Sequence, residues 1–138
     1  EGYHEELEPG KQNRDKYVIK LQDNQAGKEL SANTMRLGKY KFNINPDSKL
    51  YSIYQTNELE RICRYRYEFN NDFKGTLGML GMKFGAKWDN ENVITSCELE
   101  DHPFYIGVQY HPELSSTLEH PEQLFVELIR STVKKEGI

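Results

Sequence analysis

His111 and Glu113 stand two residues apart with Pro112 between them, at the end of an aromatic and β-branched run that begins at Tyr105. An imidazole at the end of a strand can take a proton from a nucleophile and return it to a leaving group. The proline fixes the local backbone, so the Glu113 carboxylate is within reach of the far ring nitrogen and can hold the imidazole in one tautomer. That is the base and the orienter of a nucleophile, His, acid triad. An isolated H-P-E is also how a surface His beside a solvated Glu is spelled, so the pair needs company to carry meaning. The nucleophile is the open position. Cys63 and Cys97 lie within strand-like runs, neither is flanked by glycine, and no G-x-C-x-G or G-x-S-x-G occurs in the chain. Both read as reduced, buried thiols. His4, His102, His111 and His120 do not fall at metal-ligand spacings, so no metal is expected.

The elements that must position this pair follow from pattern. Residues 1–16 are mostly charged, contain Pro9-Gly10 and read as loop. Residues 17–21 read as a strand and 22–31 as a polar loop. A half-buried strand broken by Gly38 follows over 34–42. Pro46-Asp47-Ser48 opens a short helix with Leu50, Ile53 and Tyr54 on one side. Residues 61–70 read as one continuous strand, with Arg64 and Arg66 on one face and Cys63, Tyr65, Tyr67 and Phe69 on the other. Residues 72–81 predict a helix that packs Phe73, Leu77 and Leu80 on the sheet. Residues 83–89 and 93–99 predict a hairpin around Asn90-Glu91-Asn92, with Trp88 as an edge aromatic. Beyond the strand at 105–110, residues 115–119 are loop. Pro121 then starts a helix with an apolar stripe of Leu124, Phe125, Leu128, Ile129 and Val133.

Composition bounds the answer. At 138 residues the chain has the size of one domain, but 36% hydrophobic content and a mean hydropathy of −0.83 are polar for an independent one. The opening Glu1-Gly2, with no initiator Met, reads as a piece of something larger. No apolar run approaches the roughly 18 residues of a membrane span and no leader pattern is present, so a soluble cytoplasmic protein with no membrane partner is expected. A net charge of −4 and a pI near 5.6 argue against a nucleic acid as the main partner, although the interleaved Arg and Tyr of 61–70 resemble a stacking platform. G-T-L-G-M-L-G at 75–81 lacks the G-K-S/T ending of a phosphate loop.

Residues 107–114, G-V-Q-Y-H-P-E-L, resemble the His/Glu end of class I (triad) glutamine amidotransferase domains. Thr34-Met35-Arg36-Leu37-Gly38 is similar to the T-M-R-L-G segment of the glutaminase domain in the CTP synthase family. Arg64-Tyr65-Arg66-Tyr67-Glu68-Phe69-Asn70 is similar to its R-H-R-Y-E-V-N segment. Order and spacing match, as does Glu98-Leu99-Glu100-Asp101-His102-Pro103-Phe104 leading into the H-P-E strand. The resemblance runs over residues 6–130 and corresponds to the C-terminal half of such a domain.

What the resemblance implies is specific. The fold is α/β, a flavodoxin-like, mostly parallel central sheet with an antiparallel hairpin and flanking helices, present here as a partial domain over 1–138. His111 is the base, Glu113 orients it, and a Cys on a Gly-flanked turn upstream is the nucleophile. Arg64, the middle Arg of its segment, grips the α-carboxylate of glutamine. Glu6, laid on the Glu of the family's S-T-E-F-D-P, takes the α-ammonium. Released ammonia passes to a synthase domain of the same chain, which uses ATP and magnesium to aminate UTP to CTP, and the enzyme is a homotetramer. No cofactor is expected in this segment, and alone it is expected to be inactive. The chain departs from the family at Tyr3-His4-Glu5, Ala32-Asn33, Ile62, Cys63 and Tyr65. Those departures keep a second reading open, a catalytically dead pseudo-glutaminase that serves as a docking or regulatory module.

Overall fold

The computed structural model describes residues 2–5, 16–22, 35–88 and 92–136. In chain order its strands are β1 (Tyr3–His4), β2 (Tyr17–Leu21), β3 (Arg36–Ile44), β4 (Glu58–Tyr65), β5 (Tyr67–Phe69), β6 (Met82–Trp88), β7 (Ile94–Leu99) and β8 (Ile106–Val108). The helices are α1 (Lys49–Tyr54), α2 (Lys74–Met79) and α3 (Gln123–Glu136). Phe42 and Ile44 alternate with Lys41 and Asn43 along β3, so one face of that strand is buried and the other is wet. Five strands form one sheet in the order β4-β3-β6-β7-β8, and β1-β2-β5 form a second, smaller one.

Among the described residues the larger sheet is antiparallel throughout, and only β1 and β2 run parallel. The mostly parallel sheet expected from the resemblance is therefore not what these residues build. The links explain why: 89–93 and 100–105 are short and return the chain on the adjacent strand, whereas parallel pairing needs a crossover of about a dozen residues or more. The class remains α/β, with α1 and α3 laid on the core.

Three local expectations also change. The run 61–70 is two strands, because the chain leaves the large sheet at Arg66 and β5 joins β2 in the small one. The amide of Gln22 donates to the carbonyl of Arg66 (3.0 Å) and fastens that joint. Across it the face assignment reverses, so that Glu68 rather than Tyr67 is the buried residue of β5. The helix at 74–79 does not bury its stripe: Leu77 is half-buried but Leu80 is 75% exposed, since Gly75 and Gly78 leave little side chain to seat it. Trp88 is not at an edge, because β6 lies between β3 and β7. Its ring lies under the Arg36 guanidinium at 3.8 Å, a cation–π contact that accounts for a buried arginine in β3. In α3 only Leu124 of the predicted stripe is buried. Glu6, Ala32-Asn33, Thr34 and most of the 90–92 turn lie outside the described residues.

The core gathers Phe42, Ile44, Leu50, Leu59, Cys63, Ala86, Tyr110 and Leu124. Leu50 arrives there because α1 starts where the sequence says it should, with Ser48 as cap accepting from the Tyr51 amide at 3.0 Å. The buried carboxylate of Glu98 takes the first two donors of that helix, the amides of Lys49 (2.8 Å) and Leu50 (3.3 Å). Lys49 in turn sends its ammonium to the carbonyls of Leu99 (2.6 Å), Glu100 (2.7 Å) and His102 (2.5 Å). Helix and sheet thus grip the link that leads into β8.

Candidate active site

The path to His111 is fixed residue by residue. β8 pairs antiparallel with β7, and the amide of Gln109 continues that ladder by donating to the carbonyl of Thr95 (2.9 Å). Tyr110 turns into the core, 3% exposed, with its ring 5.5 Å from that of Phe42. The His111 amide then donates to the carbonyl of Ile62 on β4 at 2.9 Å. Pro112 opens a single turn of 3-10 helix, Pro112–Ser115, where its fixed φ suits the first position. The strand is shorter than the pattern of 105–110 predicts, because the chain is already being bent toward β4.

On that turn Glu113 Oε1 lies 2.6 Å from His111 Nδ1. The hydrogen bond from His111 is the main reason that the Glu113 carboxyl is held below its ordinary value, so it stays ionised at neutral pH. A carboxylate at Nδ1 selects the neutral tautomer that carries its proton there, which leaves the Nε2 lone pair outward on a half-buried ring. Nε2 has no hydrogen bond among the described residues. This is a geometry in which Nε2 is free to accept a proton.

Arg64 projects, exposed, from β4, opposite Leu37 of β3. Cys63 and Tyr110 both turn into the core, so by alternation their neighbours Arg64 and His111 both turn away from it. The acid of β5 is not its partner: Glu68 faces Lys20, with 4.0 Å between Nζ and Oε1. The structure thus brings His111 and Glu113 into contact and sets Arg64 on the strand that pins His111, two residues from the pinning carbonyl.

Neither cysteine has the character of a nucleophile. Cys63 is 0% exposed and burial pushes its thiol up to about 11, while burial also raises Cys97. Among the described residues no group of His, Cys, Asp and Glu could hold a metal ion. A cavity of about 430 Å³ lined by Gln22, Arg36, Glu68 and Asn70 lies off the site, and none of His111, Glu113 or Arg64 lines it.

Behind His111 is a polar cluster that the sequence pattern did not single out. Tyr54 donates to Glu122 Oε1, and the Tyr54 and Tyr110 hydroxyls are 3.1 Å apart. Arg61 reaches the same Oε1 with Nη2 at 3.1 Å and Nε at 3.4 Å. Glu122 Oε2 accepts from the Leu124 amide at 2.7 Å, and the Glu122 amide donates to Ser116 Oγ at 3.1 Å. An acid just after Pro121 at a helix start was the available signal, since such residues cap helix amides. Its burial was not readable from spacing.

The family model "Glutamine amidotransferase class-I" matches residues 16–131. The CTP synthase of Clostridium beijerinckii is 36% identical over 118 residues, which are 86% of this chain and 22% of that protein. That of Dehalococcoides mccartyi is 38% identical over 117 residues, 85% of this chain and 22% of the relative. Among solved structures the glutaminase domain of Trypanosoma brucei CTPS with bound acivicin superposes with a TM-score of 0.78 at 25% identity, over 89% of this chain and 48% of that one. The chain spans about a fifth of the length of the curated relatives it matches. With the family matched from β2 to α3, the chain belongs to the class-I glutamine amidotransferases, and its similarity within them runs to the glutaminase domain of CTP synthases.

Proposed function

We propose that these residues form part of the glutaminase of a CTP synthase. It hydrolyses the side-chain amide of glutamine and passes ammonia to a synthase domain of the same chain, where ATP and magnesium serve the conversion of UTP to CTP. The observation that supports this most is the His111 to Glu113 hydrogen bond, which leaves Nε2 open at the end of a family-matched strand. In the reaction His111 Nε2 takes the proton of a cysteine thiol as sulfur attacks the amide carbon, then delivers it to the departing nitrogen as ammonia leaves and a thioester forms. Water loses a proton to the same nitrogen and attacks the thioester; the C–S bond breaks, glutamate leaves and the proton returns to sulfur. Glu113 holds the ring in the required tautomer throughout and supports its transient positive charge. On this reading the thiol comes from outside residues 1–138: Cys63 is buried, Cys97 is half-buried, and burial raises both thiols. Glu6 at the α-ammonium, a homotetrameric assembly and a cytoplasmic location go with this reading.

Two of the departures from the family weigh less than their spelling suggests. Cys63 belongs to the core, and Tyr65 packs against it with its hydroxyl accepting from Arg36 Nη1 (3.3 Å), so neither replaces a group beside Arg64. The dead-module reading loses support there. The 138-residue chain by itself releases no ammonia from glutamine, whereas the full-length protein does; ammonia release by the short chain that disappears on Cys63→Ser would overturn the assignment of the nucleophile. No release by the full-length protein would put the docking or regulatory module in its place.

Arg64 as the α-carboxylate grip has its own test. A guanidinium holds a carboxylate with two parallel hydrogen bonds, and an ammonium cannot reproduce that fork. Arg64→Lys raises the glutamine KM by about ten- to a hundredfold, the loss of one charge-assisted bond of roughly 1.5–3 kcal/mol. Ammonia-dependent synthesis and the melting temperature stay unchanged, because the side chain is exposed. A normal KM removes Arg64 from the site, and a raised KM in Arg66→Lys instead moves the grip to the joint between β4 and β5.

A further inference from the structure

The turn that carries His111 and Glu113 is bounded by Tyr110 on one side and Ser116 on the other, and both boundaries lead to the same buried side chain. Tyr54 has one hydroxyl proton, and it goes to Glu122. The Tyr110 hydroxyl, 3.1 Å away, must therefore donate to the Tyr54 oxygen, which makes a relay from Tyr110 through Tyr54 to the carboxylate. At the far boundary the backbone amide of Glu122 itself donates to Ser116 Oγ. Glu122 is 3% exposed, and it is anchored on the other side by Arg61 of β4 and by the Leu124 amide at the start of α3. β4 also carries Ile62, whose carbonyl receives the His111 amide. One residue thus ties the entry of the turn, the exit of the turn and the strand beneath it.

We infer that Glu122 is a positioning residue for the His111 imidazole, acting through Tyr54 and Tyr110 at one end of the turn and Ser116 at the other. The inference rests on the reading of His111 as the base. A helix cap alone needs only the Leu124 contact. The Arg61 and Tyr54 contacts and the Ser116 tie serve no cap, and each leads back to the turn or to the strand that pins it. Without the two tethers the turn keeps its sequence and its 3-10 backbone but gains freedom to swing, and Glu113 no longer meets Nδ1 at a fixed angle. Misplacement on that scale lowers turnover without altering binding of a substrate held elsewhere.

Tyr54→Phe and Ser116→Ala each cut one tether and leave the Glu122 carboxylate, Arg61 and the α3 cap in place, so they spare the fold where a change at Glu122 itself would put it at risk. The full-length protein with both substitutions is compared with the parent by 15N-detected imidazole spectra, His111 being assigned by its loss in His111→Asn. The parent shows the tautomer with the proton on Nδ1; the double variant loses that preference and its downfield Nδ1 proton, while each single variant loses part. Glutamine-dependent kcat falls about tenfold in the double variant with KM within about twofold, and ammonia-dependent synthesis is unchanged. An unaltered Nδ1 proton in a double variant that melts earlier overturns the proposal and leaves the cluster as packing alone. A parent that turns over no glutamine while the imidazole still responds removes the proposed function but not the positioning role.

Discussion

On the proposed function, His111→Ala abolishes glutamine-dependent CTP formation in the full-length protein, with a loss of at least about 10³-fold, and leaves formation from ammonia within about twofold of the parent. The asymmetry follows from where the imidazole sits. Nε2 is turned out of the core three residues past β8, and among the described residues the side chain makes one hydrogen bond, to Glu113, itself exposed. Removing the ring opens no cavity in the cluster of Phe42, Leu50 and Tyr110, so stability falls little. In the proposed reaction, chemistry at the amide would lose both its base and its acid, because one nitrogen serves in each half. Amination by free ammonia never uses that nitrogen. Parallel assays with the two nitrogen sources decide the matter, and an equal loss with both makes His111 structural.

The second large effect is on stability, at high pH. Burial is the first cause raising the phenols of Tyr54 and Tyr110 far above the ordinary value of 10.0, Tyr65 to about 12 and the thiol of Cys63 from 9.0 to about 11. These acids hold their protons longer folded than unfolded. Above pH 9 for the thiol and 10 for the phenols, the unfolded chain releases protons that the folded one keeps, and stability declines as pH rises through that window. Below pH 9 these groups are protonated in both states and add no slope. Tyr110, almost fully buried, contributes in full, about 1.4 kcal/mol per pH unit. The others add to a slope that is large against total stabilities of roughly 5–15 kcal/mol. Urea midpoints at pH 9, 10 and 11 therefore drop steeply, and Tyr110→Phe flattens the descent. A parent whose midpoint is level from pH 9 to 11 would contradict the burial of this cluster.

Some of this was legible before any coordinates. The five residues of β2, the start of α1 after Pro46-Asp47-Ser48 and the contact between His111 and Glu113 all depend on neighbours within a few positions, and a local pattern suffices for them. The break at Arg66 was not, because nothing within 61–70 distinguishes one strand from two; the decision is made by β2, some forty residues earlier. The place of Trp88 inside the sheet is hidden for the same reason, since which strand flanks β6 depends on β3. The open stripe of α3 shows that periodicity says which side chains share a face, and not what covers that face. Glu122 was missed because its donors come from α1 and β4, brought together only by the fold.

Lys49 has a consequence for how substitutions here should be judged. Three carbonyls, one at the end of β7 and two in the loop after it, converge on its nitrogen, and a tetrahedral ammonium has three bonds pointing outward to meet them. A guanidinium is flat, wider, and sends its donors out in one plane. Arginine at this position conserves charge yet mismatches shape, so a scoring table that counts Lys to Arg as mild misjudges it. Neutral methionine fits the stem and deserts the oxygens. The loop between β7 and β8 accordingly tolerates changes in its own side chains better than it tolerates any change in the residue that holds its backbone.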